Sequence, residues 1–338
     1  MAKLRIGIIG AGGFAQTAHI ANFERIPDVQ IAALADTNED VLRRVANRHQ
    51  IPKVFTDYQQ VLREDLDAVS VCLPNAYHAP VTVAALQAGK HVLCEKPMAV
   101  NALEAQTMVE AAKKAQKILM VAFQGRFSPE AMALKRIVER GRLGEIYFIE
   151  AGYERRRRMP SGKTWHTEKA LSGGGALIDL GVHALDLAMW MMGFPKPKQA
   201  LGSVLQKFAS GAPGTKNDVE DFATAYVLLE NGASIVLKAS WASNIKQDRS
   251  TFEVIGTKGG ATMGPLALYT QDDGQLLDVT PVITSTEDPN RLEIRHFVDC
   301  VRAGRQPIIT PEQSLVTTRV VDAIYKSGQS GAAVAVTG

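Results

Sequence analysis

The sequence predicts an α/β protein with two domains, an N-terminal parallel-sheet domain and a C-terminal α+β domain whose mixed sheet is open and largely antiparallel. In the first third of the chain, short apolar runs rich in branched residues alternate with helical patterns, which is typical of βαβ units. After about residue 123, strand-like runs follow one another directly, which favours antiparallel pairing. Because 338 residues are more than one small core accommodates, we expect the domains at 1–123 and 124–338.

The strands of the first domain read as buried on both faces, since they are apolar along their whole length. The strand-like runs are 4–9, 29–36, 66–74, 91–97 and 117–123. Helical patterns follow the first strand to about residue 25 and then cover 39–50, 79–89 and 102–116.

The second domain combines directly joined strands with a few helices. Strand-like runs cover 145–158, 221–241 and 250–263, with "ENG" and "KGG" as hairpin turns. A helix is predicted over 128–141, capped by Ser128 and with Pro129 in its first turn. The stretch 209–220 is rich in glycine and polar residues, so we expect it to be flexible.

The chain ends in a predicted helix, 310–328. Thr310 is its expected cap, and Gln313 completes a capping box. We expect its central part, 311–327, to pack back on the first domain.

Composition and charge argue against several classes of partner. The chain is 46% hydrophobic and 22% charged, with a net charge of only +3, so neither nucleic acid nor an anionic membrane is expected as a partner. The chain has no run of 18 apolar residues, so no membrane span is predicted. Cys72, Cys94 and Cys300 lie far apart without a CxxC pair, which favours a reduced, cytoplasmic protein.

A glycine motif between the first strand and the first helix predicts a dinucleotide site of the Rossmann type. Gly10, Gly12 and Ala15 form G-x-G-x-x-A, with Gly13 and Phe14 inside the motif. The first glycine permits a tight turn, the second admits a pyrophosphate, and the alanine lets the helix pack on the sheet. The pyrophosphate is expected at the helix N-terminus.

The second strand ends at Asp36, where an acid binds the ribose 2′-hydroxyl in such domains. A carboxylate repels a 2′-phosphate, and the following Thr37 supplies no cation, so NAD is predicted rather than NADP. Arg43 and Arg44, at least one turn further on, keep NADP open. The structural alternative for the whole motif is a glycine turn followed by a helix-capping aspartate.

"CEKP" places Glu95, Lys96 and Pro97 at the carboxyl edge of the predicted parallel sheet, where open α/β sheets bind ligands. A lysine there is able to hydrogen-bond a substrate hydroxyl and stabilise developing alkoxide charge. The alternative is a surface Glu–Lys pair, and the sequence leaves the isomer of Pro97 open.

"GGGALIDLGVHALDLAMW" (173–190) is apolar except for Asp179, His183 and Asp186. Their spacing of i, i+4 and i+7 predicts one face of a largely buried helix. One interpretation is a cleft in which the aspartate orients the imidazole while His183 accepts a substrate proton. A purely structural Asp–His pair and half of a metal site are the alternatives; the latter lacks a third ligand nearby, so no metal is predicted.

These motifs together resemble the glucose–fructose oxidoreductase/inositol dehydrogenase family (Gfo/Idh/MocA). The matching pieces run in order over most of the chain: "GIIGAGGFA", "ADTNED", "CLPNAYHAPVTVAALQAGKHVLCEKPMA", "GRLGEI", "SGGGALIDLGVHALDLAMWMMG" and "VEDFATAYVLLENGA". The resemblance implies a Rossmann domain, a C-terminal sheet that forms a homodimer or homotetramer interface, and NAD(P)-dependent oxidation or reduction at a carbinol carbon of sugars, inositols and related polyols.

The resemblance also implies roles for individual residues. The catalytic set falls on Lys96, Asp179 and His183, which are expected to touch the substrate as well. Further cofactor contacts are expected from the residues of "CLPNAYH", the EKP motif and "FQGRF", namely Leu73, Pro74, Asn75, His78, Glu95, Lys96, Pro97 and Gln124. Further substrate contacts are expected from Arg126, Trp165 and His166.

The basic run of the second domain has two competing interpretations. The run "RRRR" (155–158) lies near a strand end, where alternate side chains such as Arg156 are able to reach the cleft and bind an acidic sugar or sugar phosphate. The alternative is a solvated or interfacial strand end. Asp186 is expected to be a structural partner near the boundary of the domains.

Two other functions stay open at this level. One is an NAD-dependent glycosidase of the same family, which oxidises, eliminates and re-reduces without net formation of NADH. The other is a catalytically silent NAD-binding regulator, against which the intact Lys96, Asp179 and His183 argue. The sequence does not identify the sugar, since substrate choice resides in loops without a transferable code.

Overall fold

The computed structural model describes residues 3–160, 164–208 and 216–337. Contacts along the chain divide it into two compact units. The first comprises Met1–Gln124 and Asp288–Leu315, and the second comprises Gly125–Glu287 and Val316–Gly338. The predicted domain 124–338 is therefore interrupted, because 288–315 returns to the first unit. Of the stretch expected to be flexible, residues 209–215 lie outside the described residues.

The first unit contains the predicted parallel sheet. Its described strands are β1 (Leu4–Ile9), β2 (Val29–Ala35), β3 (Lys53–Phe55), β4 (Ala68–Val71), β5 (His91–Glu95) and β6 (Leu119–Ala122). They pair in the order β3-β2-β1-β4-β5-β6, each pair parallel. The chain order reverses between β1 and β4, so the loops after these strands meet at a switch point, where such sheets bind ligands.

Helices cover this sheet at the predicted places. At several of their N-termini, the side chain of the preceding residue accepts backbone N–H groups. The first begins as a π-helical turn at Ala15–Ile20, and the others are Ala21–Phe23, Glu39–His49, Tyr58–Leu62, His78–Gln87, Ala102–Ala115 and Pro289–Ala303. The Asn38 side chain accepts the backbone N–H groups of Asp40 and Val41, which fixes the start of a helix directly after the second strand. The sequence analysis did not predict the helix Pro289–Ala303, which is far along the chain from the other elements of this unit.

The second unit contains the predicted open mixed sheet. Its described strands are β7 (Ile146–Glu154), β8 (Pro197–Leu205), β9 (Phe222–Leu229), β10 (Ser234–Ser240), β11 (Arg249–Gly256), β12 (Gly259–Thr262), β13 (Ala267–Asp272), β14 (Gln275–Val279) and β15 (Val334–Ala335). They lie in the order β14-β13-β12-β11-β7-β10-β9-β8-β15. Among these described strands, β7 and β10 pair in parallel and the other neighbours pair antiparallel.

The two faces of this sheet differ in burial. In β9 the side chains of Ala223, Ala225, Val227 and Leu229 are buried, while the alternate residues are partly or fully exposed. Such alternation indicates a sheet with one face on the core and one open face.

The helices of the second unit are Pro129–Glu139, Lys169–Ser172, the π-helical segment Leu177–Gly181, Val182–Met191 and most of Pro311–Ser330. Ser128 and Thr310 each accept a backbone N–H three residues on, as predicted for their helices. Residues 311–315 belong to the first unit and the rest of that helix to the second. None of the helices in the described parts of the chain is both long and apolar enough to cross a membrane.

Candidate active site

The turn after β1 is built for a close approach of two backbones. Gly10 has φ +99°, and a Cβ there would lie 2.1 Å from the carbonyl oxygen of Cys72 after β4. Only glycine fits such a position. By contrast, a Cβ on Gly12 or Gly13 would meet nothing within 4 Å. The start of the following helix therefore faces open space in which a pyrophosphate fits against the free N–H groups.

Asp36 lies at the end of β2, directed at this turn. Its Oδ2 accepts the N–H of Ala11 at 2.8 Å, and its Oδ1 accepts the N–H of Asn38 at 2.8 Å. The half-buried carboxylate is thus held in one orientation, with lone pairs left over for ribose hydroxyls. Arg43, which kept NADP open, forms a 2.5 Å ion pair with Glu39 in the same helix. The glycine turn and Asp36 together fit NAD.

The loop after β4 contains a residue whose predicted role changes. His78 is fully buried, with Nδ1 2.7 Å from the carbonyl oxygen of Pro97 and Nε2 2.8 Å from that of Leu73. Burial lowers the pKa of its imidazole. The prediction that His78 contacts the cofactor is therefore wrong: its ring nitrogens bridge two backbone segments. Leu73 and Pro74 keep partial exposure, and Asn75 is buried.

The EKP motif lies at the carboxyl end of β5, as predicted, and its Lys96–Pro97 bond is cis. The Glu95 carboxylate accepts the backbone N–H of Lys96 at 3.2 Å through Oε2. Its Oε1 lies 2.7 Å from Nε2 of the buried His19. Pro97 is buried, while Lys96 is partly exposed.

Sequence reasoning missed His19. Burial alone opposes a charge on this ring, but the neighbouring Cys72 and Glu95 raise its pKa well above the ordinary value. The available signal was a histidine among the mostly small or apolar residues of the helix that follows the glycine turn, which also contains Gln16, Thr17 and Asn22.

In the second unit, two of the three glycines before the helix allow a close approach of Glu220 and Tyr325. A Cβ on Gly175 would lie 1.8 Å from the carbonyl oxygen of Glu220, and one on Gly174 would lie 1.9 Å from the Tyr325 hydroxyl oxygen. The Glu220 side chain accepts the N–H groups of Gly175 and Leu177 at 2.8 and 2.9 Å, and the Tyr325 hydroxyl at 2.9 Å. Burial raises the pKa of Glu220, and these three donors oppose the shift.

These contacts fix the start of the helix that carries the predicted catalytic pair. Asp179 lies in the π-helical segment and His183 in the α-helix after it. Both side chains are partly exposed. Asp179 Oδ2 accepts the indole N–H of Trp241 at 2.8 Å, and Trp241 is fully buried. π-Helical turns inside α-helices occur frequently at functional sites.

Asp186 does not share the environment of the other two polar residues. It is 1% exposed and accepts two hydrogen bonds from Arg126, at 2.7 Å from Nε and 2.6 Å from Nη2. Burial raises the pKa of Asp186, which Arg126 counteracts. The three polar residues predicted on one helix face therefore divide into the partly exposed Asp179 and His183 and the buried Asp186, which forms an ion pair with Arg126.

The prediction that Arg126 binds substrate is wrong for the same reason. Arg126 is 0% exposed, and its guanidinium lies over the rings of Trp190 and Phe194 at 5.7 and 4.9 Å. No atom of this side chain is left to meet a ligand. The expectation that Asp186 has a structural partner is thereby met within the second unit.

The basic run 155–158 lies beyond its strand, because β7 ends at Glu154. Alternation along a strand therefore does not orient Arg156. Its backbone N–H binds Asp248 at 2.8 Å and its guanidinium binds the carbonyl of Lys246 at 2.9 Å, while the side chain stays exposed.

Trp165 and His166 form a stacked pair, with ring centroids 3.8 Å apart and planes at 21°. The His166 Nδ1 lies 2.6 Å from the Thr164 hydroxyl, which fixes the imidazole. Both rings keep partial exposure. Residues 161–163, which precede them, lie outside the described residues.

Each unit thus gathers part of the predicted set. The first brings the glycine turn, Asp36, Glu95 and Lys96 to one edge of the parallel sheet. The second places Asp179 and His183 on one helix, supported by Trp241 and Glu220. Within the described residues, no three histidine, cysteine or acidic side chains are grouped as metal ligands.

Comparison with known proteins agrees with this division. A family model for oxidoreductases with an NAD-binding Rossmann fold matches residues 4–123, and a model for the GFO/IDH/MocA C-terminal domain matches residues 131–262. The chain belongs to the Gfo/Idh/MocA family. As a member of that oxidoreductase family, it has an N-terminal domain that binds NAD.

This Gfo/Idh/MocA oxidoreductase has relatives that match it along nearly its whole length. D-glucoside 3-dehydrogenase of Escherichia coli is 33% identical, over 97% of this chain and 96% of the relative. Myo-inositol 2-dehydrogenase of Thermotoga maritima is 28% identical, over 96% of each chain. The crystal structure of an NAD-binding oxidoreductase from Klebsiella pneumoniae superposes with a TM-score of 0.90 and 27% identity, over 100% of both chains.

Proposed function

We propose that this protein is a dehydrogenase that transfers hydride between NAD and a carbinol or carbonyl carbon of a sugar, inositol or related polyol. The observation that carries the proposal is the Asp179–His183 pair, which stays partly exposed on a helix otherwise built for burial, in a chain of an oxidoreductase family. Relatives named for D-glucosides and myo-inositol support this substrate class.

The proposed cofactor site follows the edge of the parallel sheet. Gly10, Gly12, Gly13, Phe14 and Ala15 form the pyrophosphate turn, in which Gly12, Gly13 and Phe14 are exposed and Ala15 packs the helix on the sheet. Asp36 and Thr37 face the adenosine ribose. The nicotinamide end is assigned to Leu73, Pro74, Asn75, Glu95, Lys96, Pro97 and Gln124.

In the proposed reaction, the substrate hydroxyl loses its proton to the His183 imidazole. The C–H electron pair leaves the same carbon as hydride, so that a carbonyl forms. NAD, when bound, supplies the acceptor for that hydride. Lys96 donates a hydrogen bond to the reacting oxygen and stabilises its developing negative charge.

Asp179 acts on His183 rather than on the substrate oxygen. As a carboxylate beside the imidazole, it orients the ring and stabilises the imidazolium that forms. The Trp241 indole occupies one oxygen of Asp179 and so fixes the carboxylate for this task. Trp165, His166 and Arg156 are proposed to contact the remainder of the substrate.

A panel of sugars, glycosides and inositols with NAD⁺ and NADP⁺, followed through the absorbance of the reduced cofactor, tests this function. We expect stoichiometric NADH and the matching keto product from at least one polyol. Glycoside cleavage without net NADH would replace the proposal with the glycosidase function. NAD binding without turnover of any panel member would contradict a polyol dehydrogenase and favour the regulator.

The Asp36→Ala variant should lose discrimination against NADP⁺. The carboxylate is held at the ribose end of the site by two N–H donors, and a 2′-phosphate brought next to it is repelled. We expect the ratio of kcat/KM for NAD⁺ to that for NADP⁺ to fall at least about tenfold, because NAD⁺ loses its ribose hydrogen bonds and NADP⁺ loses the repulsion. Asp40→Ala, in the first turn of the helix that follows Asp36, is the matched control. A wild-type enzyme that already prefers NADP⁺ would contradict the role of Asp36.

We also propose that two copies associate through the open face of the second sheet, as a homodimer or as part of a homotetramer. Leu201 and Tyr226 pair across β8 and β9 on that face and are 48% and 45% exposed. Tyr226→Glu should therefore lower the mass of the particle measured by light scattering, while Leu276→Glu, on the edge strand β14, should not. An unchanged mass in Tyr226→Glu would place the interface elsewhere.

A further inference from the structure

The buried histidine behind the EKP motif connects two parts of the cofactor site. His19 lies on the helix that follows the glycine turn, and Glu95 lies at the end of β5. We propose that His19 is a positioning residue that fixes Glu95, and through it the Lys96 backbone, relative to the pyrophosphate turn. This inference rests on the proposed function for the role of Lys96 but not for cofactor binding.

Both ring nitrogens of His19 are used. Nδ1 lies 2.7 Å from the Ser70 hydroxyl in β4, and Nε2 lies 2.7 Å from Glu95 Oε1. His19 is 1% exposed and Ser70 is 0% exposed, so water does not compete for either contact. A buried imidazole with both nitrogens bonded has a single orientation, since rotation about its Cβ–Cγ bond would break two hydrogen bonds at once.

Glu95 is fixed from both sides as a result. One carboxylate oxygen faces His19 and the other accepts the Lys96 N–H. The residue is 8% exposed, which leaves only an edge of the carboxylate for a ligand. Without the His19 contact, the carboxylate would be a buried anion with one remaining backbone donor, and we expect it to leave this orientation.

A role in packing alone does not account for this arrangement. Four neighbouring positions of the same helical stretch are buried and apolar, Ala15, Ala18, Ile20 and Phe23, so an aliphatic side chain would suit position 19. The buried polar residue Asn22 bonds within this stretch, to the carbonyl oxygen of Ala18. A histidine there needs two polar partners to offset its burial. Those partners come from β4 and β5, whose ends carry the loops assigned to the nicotinamide.

The decisive variant is His19→Gln, which keeps a polar side chain but does not reach both partners. We expect its Kd for NAD⁺, measured by calorimetry without substrate, to rise at least about tenfold. The increase in Tm produced by saturating NAD⁺ should shrink accordingly. We also expect kcat at saturating NAD⁺ to fall, because Lys96 is less well placed.

Two further variants keep the test interpretable. Ser70→Ala removes only the Nδ1 contact and should raise the Kd by about threefold, a smaller effect in the same direction. His49→Gln is the matched control, because His49 also pairs with a glutamate, Glu24 at 3.0 Å, but at the far end of the helix that begins beside Asp36. We expect the Kd of that variant to equal the wild-type value.

A double-mutant cycle separates positioning from simple destabilisation. If His19 acts through Glu95, His19→Gln should add little to the Kd of Glu95→Gln, so that the double variant binds NAD⁺ no more weakly than the worse single variant. Additive losses would overturn the proposal, as would a His19→Gln protein of lowered Tm with wild-type Kd and kcat. The Kd for NAD⁺ is measured without substrate, so this test still decides the role of His19 if no polyol of the panel is turned over.

Discussion

His183→Ala should lower kcat at least about a hundredfold at saturating NAD⁺ and polyol, since a positioned general base contributes about 10²–10⁴ to such a proton transfer. The Kd for NAD⁺ should stay within about twofold of wild type, because none of the contacts that fit the cofactor turn involves this side chain. Steady-state kinetics with the best polyol of the panel and calorimetry with NAD⁺ measure the two quantities.

Lys96→Ala completes this test from the other unit. The lost hydrogen bond to the developing alkoxide should lower kcat by a similar factor, about 10²–10³. His49→Gln serves again as control for a histidine substitution outside the site. Wild-type turnover in either His183→Ala or Lys96→Ala would mean that the residue does not act on the reacting oxygen. If His183→Ala instead raised the Kd for NAD⁺ by the same factor by which it lowers kcat, His183 would be part of the cofactor site.

The first domain was predictable because its signals are local. Apolar strand-like runs bounded by turns mark β1, β2, β4, β5 and β6, and the glycine motif marks the edge at which they end. The short strand β3 has no comparable run, since its first two residues are exposed. The helix Pro289–Ala303 carries a clear helical pattern, but nothing in its own sequence indicates that it joins a sheet formed by residues far away in the chain.

The site was predictable only where spacing carries the information. Asp179 and His183 are four residues apart, a spacing that puts two residues on one face of an α-helix. Asp186 fits the same pattern, yet the long-range pair with Arg126 gives it a different environment. The two residues that fix Asp179, Trp241 directly and Glu220 through the helix start, come from distant segments that no local pattern connects to it.

The glycines before that helix show the same division. Gly174 admits the Tyr325 hydroxyl and Gly175 admits the Glu220 backbone, and no local pattern points to either neighbour. At Gly175 a methyl group would overlap the backbone carbonyl of Glu220. A backbone atom, unlike the end of a flexible side chain, does not move aside to remove the overlap. Close packing of this kind is a property of the folded chain, so sequence alone gives the requirement for glycine without its cause.

The buried pair of Asp186 and Arg126 should govern the stability of the second unit. Asp186→Ala removes one partner of a bidentate ion pair and leaves the fully buried Arg126 without its counter-charge. Such a loss costs about 3–5 kcal/mol of the free energy of unfolding. Urea denaturation followed by the near-UV signal of the tryptophans should show this decrease, because Trp190 lies against the Arg126 guanidinium.

We attribute the cost to the unpaired charge of Arg126 rather than to the loss of the Asp186 carboxylate itself. Two further variants distinguish these two causes. Arg126→Met combined with Asp186→Leu removes both charges and fills their space with apolar atoms, so it should recover most of the lost stability. Glu230→Ala breaks the exposed pair with Lys196, at 2.6 Å, and should change the free energy of unfolding by less than about 1 kcal/mol. A double variant no more stable than Asp186→Ala would mean that the pair stabilises the fold by its own geometry, because removal of the unpaired charge would then have gained nothing.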